Sequence, residues 1–199
     1  DYYASRGLGD VYKRQVSMDS YSDLLKLTNQ TENSYWYKKS VPENTTLLYE
    51  GDVADKIYFI KKGALRLWNN DDGKDITFQF FFEGQIVASY ESFHLGKPSI
   101  FTIETIENTD LLVLEKRKLE HLLAESPDLI YLMMNQLSER FIAYTEYFLS
   151  RIKESPEKRY ISLLEKRPEL VRRVPDHYIA SFLGITPVSL SRIKKRIKS

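Results

Sequence analysis

The sequence predicts an α+β protein in which an antiparallel β domain is followed by a long helix and a helix-turn-helix unit. Three observations predict this fold class. Residues 41–114 are a series of short apolar or alternating runs separated by turn signals, which is typical of many short strands. After residue 126 the apolar residues recur at helical spacing. Residues 174–199 then divide into two helical patterns around Gly184.

Composition excludes several classes of protein. The 199 residues are 42% hydrophobic and 29% charged, as in an ordinary globular protein. No apolar run approaches the roughly 20 residues that cross a bilayer, so we expect no membrane partner. With no cysteine and only three widely separated histidines, zinc fingers and cysteine-ligated iron–sulfur clusters are excluded. We therefore expect no cofactor and no metal site.

The N-terminal residues carry little fold information. Residues 1–17 contain no apolar core of a signal peptide, and we expect them to be a non-native or disordered leader, with Met18 as the natural start. The lack of targeting features predicts a cytoplasmic protein. Between Asp19 and Tyr37, apolar residues including Tyr35 and Trp36 recur with loose helical spacing, which predicts one or two short helices.

The strand-like runs follow one another at short intervals. Glycines punctuate them, and the segment from Asn70 to Gly73 predicts a hairpin turn. Regular spacing of this kind favours a roll, a barrel or a sandwich, in which sheet edges are closed or covered.

A short helix is predicted through Ala124, and a long one begins after Ser126 and Pro127, since serine caps helices and proline suits a first turn. Apolar residues of the long helix repeat at spacings of three and four, as in a two-stranded coiled coil: Met134, Leu137, Phe141, Tyr144 and Phe148. Either this stripe pairs two chains into a homodimer or it packs on the chain's own β domain. The pattern breaks at Ser155 and Pro156, which predicts a hinge.

Charge is distributed unevenly. Residues 151–199 hold 13 Lys+Arg against 5 Asp+Glu, whereas residues 1–150 hold 16 against 23. A basic C-terminal unit favours a polyanionic partner, because neutralising phosphates releases condensed counterions. The alternative is a solvated charged surface with no such partner.

The C-terminal unit predicts the binding of double-stranded DNA. A first amphipathic helix is closed by Pro168, and apolar residues such as Ile179, Ala180 and Leu190 hold two further helices around a turn at Gly184. In such motifs the second helix enters the major groove. Arg192 is the preferred base reader, while Lys194, Lys195, Arg196 and Lys198 supply affinity. The predicted DNA-binding residues are Thr186, Val188, Ser189, Ser191, Arg192 and Lys195.

These residues resemble the Crp/Fnr family of bacterial regulators across nearly the whole chain. The match is carried by Gly51, Tyr58-Phe59-Ile60, Gly63, Glu83-Gly84-Gln85, the stretch 179–186 and Ser191-Arg192-Ile193. The resemblance implies a transcription regulator with a cyclic-nucleotide-binding-like β-roll (residues 18–125), a dimerisation helix (126–153) and a winged helix-turn-helix domain (154–199). Any β-hairpin before the motif would lie near residues 171–175.

The sequence departs from the family where its cyclic-AMP-binding members carry Gly-Glu and an arginine. These positions fall on Ala88-Ser89 and Ser99, which predicts weak or no cyclic-AMP binding, since serine lacks the charge that grips a phosphate. A pocket there would take an unknown small-molecule effector, or the same residues simply close the roll. The residues at its edge are Ser89, Tyr90, Glu91, Ser99 and Phe101.

Two other functions compete with this interpretation. The chain could be an effector-binding or protein-interaction module whose helix-turn-helix does not read DNA. It could also be a cupin-like enzyme, because that fold shares many short strands, but the sequence supplies no metal ligands for one. We therefore expect a protein that is not an enzyme.

Overall fold

The computed structural model describes Thr28 and residues 35–198. These residues belong to two compact units that divide between Gln136 and Leu137, inside a long helix. Residues 35–136 are called the β unit and residues 137–198 the helical unit. The predicted leader at residues 1–17 lies outside the described residues.

The β unit is an antiparallel roll of two four-stranded sheets. Their strand orders are β1-β8-β3-β6 and β2-β7-β4-β5, and every pairing is antiparallel. The strands are β1 (Tyr37–Val41), β2 (Thr46–Leu48), β3 (Lys56–Lys62), β4 (Leu65–Asp71), β5 (Lys74–Phe81), β6 (Ile86–Val87), β7 (Thr102–Thr105) and β8 (Thr109–Glu115). The predicted antiparallel β domain is confirmed.

Alternation along the strands places one set of side chains in a core to which both sheets contribute. Leu65 and Leu67 of β4 are buried with Phe81 and Ile103 of the same sheet and with residues of the other sheet, including Val113. Burial of each large apolar side chain stabilises the fold by about 1.5–3 kcal/mol. This shared core holds the roll together.

The turn between β4 and β5 forms where the sequence predicts it. Asp72 and Gly73 both have positive φ, at 50° and 80°, as a type I′ turn requires. The Gly73 amide donates a hydrogen bond of 2.8 Å to the side-chain oxygen of Asn70. The predicted hairpin from Asn70 to Gly73 is therefore confirmed.

A second core lies where helices pack on the β1-β8-β3-β6 sheet. The helices are α1 (Tyr90–Leu95), α2 (Lys116–Glu125) and the start of α3 (Pro127–Lys153). Leu114 of β8 is buried with Phe93, Leu119 and Leu129 of these helices. The hydroxyl of Ser126 accepts a hydrogen bond from the Leu129 amide at 3.3 Å, as expected of a residue that caps α3.

The helical prediction at the N-terminus extends too far. Tyr35 and Trp36 are not helical, and Tyr37 already begins β1, where it is paired with Val113. Trp36 is buried and donates its indole N–H to the hydroxyl of Thr28, which is helical, at 2.7 Å. Sheet pairing and burial therefore override the loose helical spacing here. The rest of the predicted N-terminal helices falls outside the described residues.

The helical unit consists of the second part of α3 followed by α4 (Pro156–Lys166), α5 (Pro168–Arg173), α6 (Asp176–Leu183) and α7 (Pro187–Lys198). Helix α4 ends at Lys166, just before Pro168, as the sequence predicts. Pro168 also begins α5, because the missing N–H of proline is harmless in a first turn. Residues 137–198 contain no strand, and α5 occupies the place of the short hairpin. The α+β class with a C-terminal helix-turn-helix is confirmed.

Candidate functional site

The turn between α6 and α7 is fixed by Gly184. Its φ of 70° lies in the left-handed region that favours glycine. The Gly184 amide bonds to the Ser181 carbonyl at 2.9 Å, and the Ile185 amide bonds to the Ala180 carbonyl at 3.0 Å. This pair of bonds is the Schellman motif, which satisfies carbonyls at the end of a helix. The turn ends α6 sharply and redirects the chain.

The start of α7 is fixed by Thr186 and Pro187. The hydroxyl of Thr186 accepts a hydrogen bond from the Ser189 amide at 3.2 Å, so Thr186 caps the helix as the sequence predicts. With the first turn fixed, Leu190 and Ile193 point into the core, where they are 0% and 5% exposed. The opposite side of α7 is thereby held toward solvent.

Four side chains form one exposed face of α7, which we call the reading face. They are Val188, Ser191, Arg192 and Lys195. Their spacings of three, four and seven residues from Val188 place them on one side of a helix. All four are among the predicted DNA-binding residues.

The two remaining predicted DNA-binding residues have a different place. The hydroxyl oxygens of Thr186 and Ser189 lie 3.0 Å apart, and Ser189 is half-buried. Both hydroxyls are engaged at the start of α7. The structure therefore puts Thr186 and Ser189 in the cap and the other four in the reading face.

Two cations of α7 outside the reading face, Lys194 and Arg196, are paired with carboxylates of the helical unit. Lys194 forms an ion pair with Asp176, and Arg196 forms one of 2.6 Å with Glu157. The hydrogen bond to Glu157 raises the pKa of Arg196 above its ordinary value. Within the part of the chain that the structure describes, Arg192 and Lys195 form no ion pair. Within residues 187–197, the positive charges of α7 that form no ion pair therefore lie in the reading face.

Two arginines bind the end of α6, a contact that no motif in the sequence indicates. Arg151 at the end of α3 donates to the Phe182 carbonyl at 2.9 Å, and Arg159 of α4 donates to the Leu183 carbonyl at 2.7 Å. The last carbonyls of a helix carry partial negative charge, so guanidinium donors are well suited to them. We call this pair the arginine clasp.

The arginine clasp also spans the predicted hinge at Ser155 and Pro156. Arg159 donates to the Glu154 carbonyl at 2.8 Å, on the other side of the break between α3 and α4. The Tyr147 ring of α3 stacks on Phe182 with centroids 5.3 Å apart. The end of α3 is therefore bound to the helix-turn-helix by charge-assisted hydrogen bonds and by ring packing.

In the β unit, two predicted pocket residues are buried against each other. Ser89 and Ser99 are 2% and 3% exposed, and their hydroxyl oxygens lie 2.8 Å apart. The Ser99 oxygen also lies 2.6 Å from the Phe101 carbonyl and accepts the Phe101 amide at 3.1 Å. One donor and two acceptor positions of the Ser99 hydroxyl are then satisfied within the protein.

The other pocket residues are placed differently. Tyr90 is 48% exposed and stacks on His94 along α1, and Glu91 is also exposed. The half-buried ring of Phe101 lies 5.0 Å from the ring of Phe78. The structure thus brings Ser89, Ser99 and the main chain of Phe101 together, and leaves Tyr90 and Glu91 on the surface of α1.

Two other kinds of site, a membrane-spanning helix and a metal centre, are absent from the described residues. No helix among them combines the length and apolar character needed to span a membrane. No group of three or more His, Asp or Glu side chains among them is arranged to hold a metal ion.

Residues 38–126 match the family described as the cyclic nucleotide-binding domain. The chain is 20% identical over 114 residues to the cAMP-activated global transcriptional regulator CRP of Salmonella typhimurium. The aligned region covers 57% of this chain and 54% of the relative. It is 27% identical over 118 residues to the anaerobic regulatory protein of Bacillus subtilis, covering 59% and 48%. The chain spans about half the length of these curated relatives.

A solved structure extends the likeness to both units. A protein from Eubacterium rectale assigned to the Crp/Fnr family of transcriptional regulators has a TM-score of 0.68 and 18% identity, covering 89% of this chain and 83% of that one. The chain is similar in sequence and fold to regulators of the Crp/Fnr family. At this identity the structural likeness shows a shared fold.

The long helix α3 exposes several large apolar side chains. Met134, Phe141 and Phe148 of the predicted seam are 61%, 73% and 64% exposed, and Tyr144 is 37% exposed. Leu137 is half-buried. Tyr131 and Ile152 extend the same side of the helix, at 69% and 66% exposed. We call these exposed side chains the α3 stripe.

Proposed function

We propose that this chain is a cytoplasmic transcription regulator that binds double-stranded DNA sequence-specifically as a homodimer and is not an enzyme. Residues 154–199 form the DNA-binding domain, residues 126–153 the dimerisation helix and residues 18–125 an effector-type domain. The relatives named above are regulators, which supports this role.

The reading face carries the proposal. Arg192 and Lys195 are exposed and form no ion pair within the described residues, while Leu190 and Ile193 anchor the helix behind them. Arginine bonds bidentately to guanine in the major groove, and lysine neutralises phosphates. With the excess of cations in residues 151–199, this arrangement is suited to DNA. Thr186 and Ser189 fix the helix start that would contact the phosphate backbone.

The α3 stripe supports pairing of two chains. Its aromatic side chains, Phe141 and Phe148 among them, are exposed along one side of a 27-residue helix. Contiguous apolar surface of this kind marks interaction sites in soluble proteins. A second copy of the helix would cover it, and a twofold dimer presents two recognition helices to successive major grooves.

The buried serine pair supports a regulator that does not respond to cyclic AMP. A desolvated phosphate needs a charge-assisted bond, which contributes about 1.5–3 kcal/mol. Ser99 supplies no charge, and its hydroxyl is already satisfied by Ser89 and Phe101. Any small molecule that binds here would have to contact Tyr90, Glu91 or the Phe101 ring instead.

Selection from a randomised DNA pool tests the proposal. The full chain, both untreated and incubated with a cell extract that supplies effectors, is expected to enrich an approximately palindromic operator. Affinity should fall steeply with salt, because several phosphates are neutralised. Binding without enrichment, salt-insensitive binding, or no binding in either form would contradict it.

A further inference from the structure

The reading face contains one large apolar side chain among polar neighbours. Val188 is 61% exposed, and the face otherwise presents Ser191, Arg192 and Lys195. Isolated apolar residues are common on protein surfaces. Val188 differs from these because it lies in the first turn of the helix that the proposed function assigns to the major groove.

We propose that Val188 reads a thymine in each operator half-site by packing against its C5 methyl group. Among the base edges of the major groove, the thymine methyl is the apolar group, whereas the other edges present hydrogen-bond donors and acceptors. Valine offers neither a donor nor an acceptor, so a polar edge placed against it would lose its water without gaining a partner. This inference rests on the proposed function and adds the base that the helix recognises.

The conformation of Val188 favours such a contact. A β-branched side chain in a helix has one strongly preferred rotamer, so little side-chain entropy is lost on binding. Its backbone is fixed too, because Thr186 caps the helix two residues earlier through the Ser189 amide. The valine methyl groups are therefore held in place before DNA arrives.

The helix geometry also gives the thymine a place relative to the guanine of Arg192. Val188 and Arg192 are four residues apart, which is a rise of about 6 Å along a helix. Base pairs are stacked about 3.4 Å apart. The thymine and the guanine are thus expected within a few base pairs of each other in each half-site.

Replacement of thymine by deoxyuridine removes the methyl group and nothing else. With the selected operator and the full chain, substitution at the contacted position should weaken binding about fourfold per half-site, from the transfer free energy of one methyl group. Substitutions at thymines elsewhere in the half-site should have little effect. The Val188→Ser protein should bind the operator equally well with thymine or with uracil at the contacted position.

Lys195→Ala is the matched control, because it should weaken binding to both DNAs and leave their ratio unchanged. Thermal unfolding of Val188→Ser should match that of the parent, since the side chain is exposed. A selected operator that is insensitive to uracil at every position, or a Val188→Ser protein that keeps the difference, overturns the inference while leaving the proposed function intact. Failure to select any operator overturns both.

Discussion

Arg151 occupies the space beside Gly184 that a side chain on residue 184 would need. A Cβ atom built on Gly184 would lie 2.7 Å from the Nη2 of Arg151, while another nitrogen of the same guanidinium bonds to the Phe182 carbonyl at 2.9 Å. The turn that orients α7 is thus enclosed by the end of α3. The left-handed conformation at residue 184 favours glycine, and a side chain there would have to displace the Arg151 guanidinium.

Gly184→Ala is therefore expected to destabilise the helical unit. The left-handed backbone alone costs about 1–2 kcal/mol for a residue with a side chain, and displacement of the Arg151 guanidinium adds to it. Circular dichroism during urea unfolding measures the loss. Gly96→Ala is the matched control, because Gly96 ends α1 with a φ of 66° but has nothing within 4 Å of its Cβ position.

Comparison of the two glycine variants separates the free-energy cost of the left-handed backbone from the cost of displacing the Arg151 guanidinium. The contact part should disappear in the Arg151→Ala background, where Gly184→Ala should cost no more than Gly96→Ala. An equal cost for Gly184→Ala with and without Arg151 would show that the contact does not matter.

Arg159→Ala is expected to loosen the helix-turn-helix. It removes charge-assisted bonds to the Leu183 and Glu154 carbonyls, each of which contributes about 1.5–3 kcal/mol in comparable settings. Hydrogen exchange of the amides at the end of α6 and the start of α7 should accelerate. Arg172→Ala, on the surface of α5, is the control and should leave exchange unchanged. Unchanged protection in Arg159→Ala would refute the role of the arginine clasp.

Ser99→Ala should destabilise the β unit by about 1–3 kcal/mol, because it leaves the buried Ser89 hydroxyl and the part-buried Phe101 amide without their partner. Fluorescence of Trp36 and Trp68, both in the β unit, reports its unfolding in urea. Ser89→Ala with Ser99→Ala should cost less than the sum of the single changes, since the two hydroxyls share one bond. Additive losses would mean that the serines are not coupled.

Phe141→Lys is expected to convert a dimer into a monomer. The side chain is 73% exposed in the single chain, so its replacement should not impair folding of the monomer. Sedimentation equilibrium at micromolar concentration measures the change. Glu139→Lys introduces a lysine on the same helix away from the α3 stripe and should remain dimeric. A dimeric Phe141→Lys would show that the chains pair elsewhere or that the stripe is covered differently.

Features that depend on neighbouring residues could be predicted from the sequence. The turn at Gly184, the caps at Ser126 and Thr186 and the hairpin at Gly73 each follow from chemistry within a few residues. The reading face follows from the helical period once Leu190 and Ile193 are recognised as buried. Local signals also gave the order and approximate bounds of most strands.

Features that depend on contacts between distant residues could not be predicted. The arginine clasp joins Arg151 and Arg159 to carbonyls more than 20 residues later, and a main-chain acceptor leaves no residue pattern. The pairs of Lys194 with Asp176 and Arg196 with Glu157 likewise remove two cations that looked available for DNA. The short helix α1 was hidden among strands, and Pro168 is compatible with either ending or beginning a helix.

Discrimination by Arg192 tests the central claim most directly. The affinity ratio between the selected operator and a scrambled DNA of equal length is measured at one fixed salt concentration, for the parent, Arg192→Ala and Arg196→Ala. Loss of a bidentate guanine contact should cost Arg192→Ala about 1–3 kcal/mol of this discrimination. Arg196 lies on the same helix as Arg192 and is bound to Glu157 of α4. Arg196→Ala should keep the affinity ratio of the parent. An unchanged ratio in Arg192→Ala would contradict the account.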